Sequence, residues 1–311
     1  MKIILHIGAH RTGTTSFQSY MRRHASALAA DGIGFWGPAR TRKGLFAGIQ
    51  PGPGISVQAA RRARGRILLQ LDKAQKRGVQ TLVISDENMM GSSRLNLRAQ
   101  SLYPDVGERL ARFVAAFDHH VDVVAMSVRS LDYFWASMAG YGVWRGHEVP
   151  TSYQIARIAE RRRSWRDVVA DVACAAPHAA IKVLPFERFS GRADRVLAVS
   201  REHNAPVDSD PRWENRGPTC DDLRRSLTER GSDPDAIPET DGRWAPFNTE
   251  QCAALREAYA DDMHWLLAGA NGLATLTEDK DPKCARHTLP IGSKNRGHPN
   301  DITERRLAQP G

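Results

Sequence analysis

Ile3-Ile4-Leu5-His6-Ile7-Gly8-Ala9-His10-Arg11-Thr12-Gly13-Thr14-Thr15 is the stretch that decides the fold. Residues 3–7 form a short β-rich run ending in glycine, and a helical pattern covers residues 13–30, so the segment reads as strand, loop and helix. A loop in that context aims backbone N–H groups and a helix N-terminus at one point, where an anion can be held. Gly8 and Gly13 allow positive φ and close approach, and Thr14 and Thr15 add hydroxyl donors. The spacing follows Gly-x-x-x-x-Gly-Lys-[Ser/Thr] in all but one position. Thr14 stands where that loop needs a lysine to reach the outer phosphates. The missing lysine argues against γ-phosphate chemistry. The arginine, the paired threonines and the preceding strand favour anion binding over an unliganded turn.

The same alternation continues outward. Gly32-Ile33-Gly34-Phe35-Trp36 reads as a second short strand. A helix is predicted over residues 57–77, with Leu68, Leu69 and Leu71 on its buried side. Thr81-Leu82-Val83-Ile84-Ser85 is wholly apolar at its centre, as a parallel strand covered on both faces should be. Helix 106–117 leads to strand 121–128, and helix 152–173 leads to strand 180–184. The fold class is therefore α/β in three layers, a central parallel sheet with helices on both faces, of the P-loop nucleotide-binding type. Residues 40–55, rich in Gly and Pro, read as a long binding loop or lid. Residues 208–247 are polar with one short helix at 220–230, and a last amphipathic helix spans 249–267 with Thr249 as its N-cap. One domain is expected over 1–276, followed by a weakly ordered basic tail at 277–311.

Composition narrows the function. The 311 residues are 41% hydrophobic and 25% charged, ordinary values for a water-soluble globular chain. No apolar run reaches the roughly 18–20 residues that cross a bilayer. The opening apolar stretch is too short for a signal peptide, so a cytoplasmic protein is expected. Cys174, Cys220, Cys252 and Cys284 are scattered without metal-ligand spacing, so neither a disulfide framework nor a metal site is expected. The net charge of +9 calls for an anionic partner. Low aromatic content and arginines spread along the chain favour a phosphate-rich small ligand or acidic acceptor over specific nucleic-acid binding. Oligomeric state is not legible.

Leu5-His6-Ile7-Gly8-Ala9-His10-Arg11-Thr12-Gly13-Thr14-Thr15-Ser16-Phe17-Gln18 resembles the 5′-phosphosulfate loop of bacterial sulfotransferases. The resemblance extends loosely from Met1 to about Leu267 and is most specific in this loop. It implies that Gly8, His10, Arg11, Thr12, Gly13, Thr14 and Thr15 grip 3′-phosphoadenosine 5′-phosphosulfate (PAPS), and that no metal is needed. Arg11 replaces the family's usual lysine. It keeps the charge and can fork onto phosphate, but it is a poor proton donor. Arg129 falls at a strand's carboxyl end, where α/β folds bind ligands, and Ser137 lies about two turns on, close to the same helix face. This pair resembles the family's 3′-phosphate motif. Asn215-Arg216-Gly217 is similar to the family's late basic–glycine loop, although a solvated loop fits it as well.

Transfer to a hydroxyl needs a group that takes the acceptor's proton. Ser85-Asp86-Glu87-Asn88 puts two carboxylates at a strand end, where partial burial should raise a pKa towards that task. The resemblance selects Glu87 over Asp86 through the family's Ser-x-Glu element. A helix cap by Ser85 or Asp86 explains the same residues. The expected activity is PAPS-dependent sulfuryl transfer to a carbohydrate or small-metabolite acceptor, with Glu87 and Arg11 as catalytic residues. A P-loop kinase or NTPase, and a non-catalytic nucleotide or polyanion binder, are the alternatives. Arg40, Arg42 and Lys43 in the long loop are placed to meet an acidic acceptor, although an exposed loop explains them too, and Arg161, Arg162, Arg163 and Arg166 read as a solvated basic face.

Overall fold

A computed structural model describes residues 1–50 and 56–278. Strand β1 (Lys2–His6) is followed by α1 (Thr14–Arg23) and α2 (Ala25–Ala30), and then by β2 (Ile33–Trp36). The single helix expected over 13–30 is thus two, because His24 leaves helical geometry at φ −95° and ψ 16°. Helix α3 (Val57–Lys76) leads to β3 (Thr81–Ser85). Its buried side is Ala63, Ile67 and Leu71; Leu68 is only partly buried and Leu69 is 52% exposed. Helical periodicity favours 63, 67 and 71, which fall on one stripe, over adjacent leucines.

The chain continues through α4 (Ser93–Ala99), α5 (Val106–Ala116), β4 (Val123–Val128), α6 (Leu131–Trp144), α7 (Ser152–Ala159), α8 (Trp165–Ala175) and β5 (Ala180–Pro185). The predicted helix 152–173 breaks in two, since α8 makes a fresh start at Ser164. Asp262 drives that break. Its carboxylate accepts from Ser164 Oγ at 2.6 Å, Trp165 N–H at 2.8 Å and Arg166 N–H at 3.2 Å, and a carboxylate is favourable at a helix N-terminus. Helix α9 (Ala193–Arg201), α10 (Cys220–Glu229), α11 (Thr249–Leu267) and the two-residue β6 (Thr275–Leu276) complete the order. Asn248, not Thr249, caps α11, in a reciprocal capping box with Gln251.

All six strands are parallel, in the order β2-β3-β1-β4-β5-β6. Alternate residues of β1 pack on opposite faces. Ile3 and Leu5 join a core with α3, α5, α6, α8 and α11, while Ile4 joins another with Phe17, Tyr20, Leu28 and Leu197. Helices therefore cover both faces, giving the expected three layers. A third small core, with Val143, Leu223, Leu227 and Trp244, docks α10 on α6. The 40–55 segment is not all loop, for Pro38–Arg40 and Thr41–Leu45 are short helical turns; residues 51–55 lie outside the described residues. So does the expected tail apart from Thr277 and Glu278, and Thr277 N–H continues the sheet edge by donating to the Val183 carbonyl at 2.8 Å. Among the described residues no helix is long and apolar enough to cross a membrane.

His6, at the end of β1, is 2% exposed, and its Nδ1 lies 2.9 Å from Ser85 Oγ. Burial outweighs the pull of Glu87 and brings its pKa from 6.5 down to about 4. The folded protein refuses a proton that the unfolded chain takes below pH 6.5, so this part of the stability is present above 6.5 and lost as pH falls towards 4. Thermal melts between pH 7 and 4 should show His6 contributing a loss of roughly 3 kcal/mol. His6→Gln should flatten that slope; an unchanged slope would mean that other groups carry it.

Candidate functional site

The chain reverses direction across the sheet at β1, which has β3 on one side and β4 on the other. The carboxyl ends of these three neighbours form the crevice where open α/β sheets hold ligands. A cleft of about 360 Å³ lies there. His10, Arg11, Gly13, Thr14 and Thr15 from the β1 loop line it, with Glu87 from the end of β3 and Arg129 and Ser137 from the β4–α6 corner. Asn215, Arg216 and Gly217 reach it from the other end of the chain.

Gly8 and Thr12, expected to contact the ligand, do not line this cleft; they brace the loop from inside. Thr12 Oγ1 donates to the Ala9 carbonyl at 2.7 Å and accepts from Ala9 N–H at 3.2 Å. Gly8, at φ 52°, must be glycine because an added Cβ would lie 2.3 Å from Thr14 Oγ1. Arg11 adopts φ 65° without being glycine, a strained conformation of the kind found at functional loops. Gly13 at φ 83° then begins α1 with no side-chain cap, so the first-turn N–H groups beside Thr14 and Thr15 have no capping side chain.

Arg11 is clasped to the next element. Its Nε donates to Ser137 Oγ at 3.2 Å, its guanidinium lies 4.7 Å from the centre of the Tyr141 ring, and its carbonyl accepts from Arg129 Nη1 at 3.2 Å. The Arg129 corner is itself fixed, since Trp165 Nε1 donates to the Arg129 carbonyl at 2.7 Å and Ser130 N–H donates to Glu187 Oε1 at 2.8 Å. Asp262, by starting α8 at Trp165, thereby sets the position of Arg129. Glu187 is structural, as its place after β5 suggests. Arg163 is not on a solvated face; it donates to the carbonyls of Leu102 and Tyr103 and pairs with Asp171.

The 213–217 segment is tied to α1, with Glu214 N–H donating to Ser16 Oγ at 3.0 Å and Ser19 Oγ donating to the Glu214 carboxylate. A Cβ on Gly217 would sit 3.4 Å from Arg11 Nη2 and 3.7 Å from Arg243 Nε. Three arginines so converge at one place. Burial, then repulsion from Arg129 and Arg243, brings the Arg11 pKa down to about 10, with only Tyr141 opposing. Burial also lowers that of Arg129. Arg42, Arg94, Arg145 and Arg216 line the cleft too, against the carboxylates of Glu87 and Glu214. An apolar cavity of about 370 Å³, lined by Tyr133, Gly140, Phe186, Pro218 and Trp244, adjoins on the Arg129 and Arg243 side.

Glu87 lies where the sequence placed it but not in the expected state. Burial pushes its pKa up, yet the hydrogen bond and charge of Arg42 outweigh it and hold the carboxyl below its ordinary range. Arg42 Nη2 lies 2.9 Å from Glu87 Oε1, and Gln18 Nε2 donates to Oε2 at 3.2 Å. Asp86 is a structural anchor. At 2% exposure it caps the turn Glu87–Met89 and accepts from Thr41 Oγ1 at 2.6 Å and Arg42 Nη2 at 2.7 Å. Arg40 instead packs on Trp36 and donates to Gln70. His10 is kept neutral by burial. Tyr103, whose pKa burial raises, accepts from His10 N–H at 2.8 Å and lies 2.9 Å from Nδ1. The phenol oxygen thus meets both the backbone and the ring of His10 and fixes the ring in the cleft wall.

Sequence reasoning missed Arg243, Tyr141 and Tyr103, none of which sits in a local motif, gave Gln18 no role although it closes the quoted loop motif, and gave Arg42 only an acceptor role. Among the described residues no group of three or more His, Cys, Asp or Glu side chains is placed to hold a metal ion. Comparison with known protein families, curated proteins and solved structures finds no match to the chain.

Mutual repulsion among Arg11, Arg129 and Arg243 is relieved by an anion or by removal of one charge. Arg243→Gln should leave the ligand-free protein as stable as wild type or raise its Tm by up to a few degrees. It should weaken stabilisation by inorganic phosphate roughly tenfold in apparent affinity. A lower ligand-free Tm with an undiminished phosphate response would remove Arg243 from the anion site.

Proposed function

We propose that this chain is a sulfotransferase that moves a sulfuryl group from PAPS to a hydroxyl or amine, on a P-loop-type nucleotide fold. The observation that carries the reading is the meeting in one cleft of the 8–15 loop, Arg129, Ser137 and the 215–217 loop, which lie far apart in sequence. Arg11, Thr14, Thr15 and the start of α1 suit a 5′-phosphosulfate, and Arg129, Ser137 and Gly217 suit a 3′-phosphate. Arg243, beside Gly217, adds charge to the same place. The adjoining apolar cavity, walled by Tyr133, Phe186 and Trp244, suits the adenine ring.

In the reaction the acceptor oxygen forms a bond to sulfur while the bond from sulfur to the 5′-phosphate oxygen breaks. The electron pair leaves on adenosine 3′,5′-bisphosphate (PAP), where Arg11 and the loop amides balance the charge that develops. The acceptor's proton goes to Glu87. Because Arg42 keeps that carboxylate ionised, Glu87 is ready to accept at neutral pH, though its basicity is lower than burial alone would give.

The test is ligand-specific stabilisation. PAP without magnesium should raise the Tm more than ATP does, with about 2.7 kcal/mol gained at roughly 100 times its dissociation constant. Equal stabilisation by ATP, or a need for magnesium, would point to a kinase or NTPase.

Glu87→Gln tests the enzyme against a mere binder. Transfer to a competent acceptor should fall by about two to four powers of ten. PAP affinity should change little, since the carboxylate is held on the Arg42 and Gln18 side of the cleft. Near-normal turnover in this variant would take Glu87 out of the mechanism.

A further inference from the structure

Beyond the groups assigned to the nucleotide the cleft carries further arginines, and its far end bears on the acceptor's chemistry; this step rests on the sulfotransferase reading. Helix α6 carries Ser137 and Tyr141, and Arg145 is its C-cap; the three are four residues apart on one side, and all line the cleft. Ser137 and Tyr141 are engaged with Arg11. Arg145 lies two turns beyond Ser137, about 12 Å along the axis, away from the groups that Arg11 and Arg129 hold.

Helix α4 meets α6 closely at this end, where Leu97 packs over Gly142; a Cβ there would lie 2.9 Å from Leu97 Cδ1. The close approach brings Arg94, on the first turn of α4, into the same wall of the cleft. The turn bearing Glu87 is continuous with this wall through Ser92 and Ser93, which also line it. Among the described residues no hydrogen bond or ion pair engages the Arg94 or Arg145 guanidinium. The last carbonyls of α6 would make this end negative. Arg230 offsets them, donating to the carbonyls of Val143 at 3.0 Å and His147 at 2.9 Å. The site beyond Glu87 therefore presents uncommitted positive charge.

We infer that the acceptor is a hydroxyl compound carrying its own anionic group, a carboxylate or sulfate, held by Arg94 and Arg145 while Glu87 faces the reacting hydroxyl. The nucleotide leaves these two arginines free, so the acceptor is selected by charge.

Calorimetric titration of the PAP-saturated protein with cellobiose and with its uronate counterpart, cellobiouronic acid, tests this, because the pair differs by one carboxylate. The uronate should bind measurably, the neutral sugar at least about tenfold more weakly, and added salt should erode the difference. Arg94→Gln/Arg145→Gln should abolish the preference while leaving PAP affinity within about twofold. Equal binding of both sugars, binding of neither, an unaffected double variant, or displacement of the uronate by a short single-stranded oligonucleotide at lower concentration would overturn the inference. Failure of PAP to stabilise the wild type would instead remove the sulfotransferase reading; PAP binding without uronate binding removes only the acceptor.

Discussion

Strand β1 hydrogen-bonds to β3 along one edge and to β4 along the other, and its side chains are buried on both faces. A strand so enclosed cannot shift register without moving Ile3, Ile4 and Leu5 out of two cores at once. Its carboxyl end is therefore a fixed point. The loop that follows inherits this rigidity and adds its own, through the Thr12 brace on Ala9 and the fit of Gly8 against Thr14. A rigid loop can hold Arg11 in a left-handed conformation that a flexible one would relax.

From that fixed point the cleft is assembled by contacts between neighbours. Arg11 reaches Ser137 and Tyr141, Arg129 reaches back to the Arg11 carbonyl, and Trp165 and Glu187 hold the Arg129 corner in place. Most of these bonds satisfy backbone groups or hydroxyls, and none is an ion pair for Arg11. Its positive charge is thus positioned without being neutralised, which suits a site that binds anions by preorganised charge.

The carboxylate side of the cleft is arranged in the opposite sense. Arg42 spans Asp86 and Glu87, so each of these partly or fully buried acids has a cation beside it. Burying an unpaired carboxylate would cost several kcal/mol, and the pairing offsets that cost. It also decides the protonation state of Glu87, because paired charge outweighs desolvation. The same guanidinium serves two acids. Asp86 uses it to anchor the Thr41–Leu45 turn, and Glu87 uses it to remain ionised at the mouth of the site.

The sequence by itself determined the parallel sheet, because apolar runs such as Leu82-Val83-Ile84 and Val123-Val124-Ala125-Met126 have few stable settings outside a covered strand. It also determined the glycine loop after β1 and the strand-end positions of Glu87 and Arg129, since these follow from local spacing. Tertiary structure decided the rest. The breaks at His24 and Ser164 come from packing and from the Asp262 carboxylate, which lies about a hundred residues away in the chain. Arg243 enters the site only because α10 docks on α6 and carries the following segment over Gly217. The pKa of Glu87 could not be read from its neighbours in sequence, because burial and the Arg42 charge act in opposite directions and only their distances in space settle which prevails.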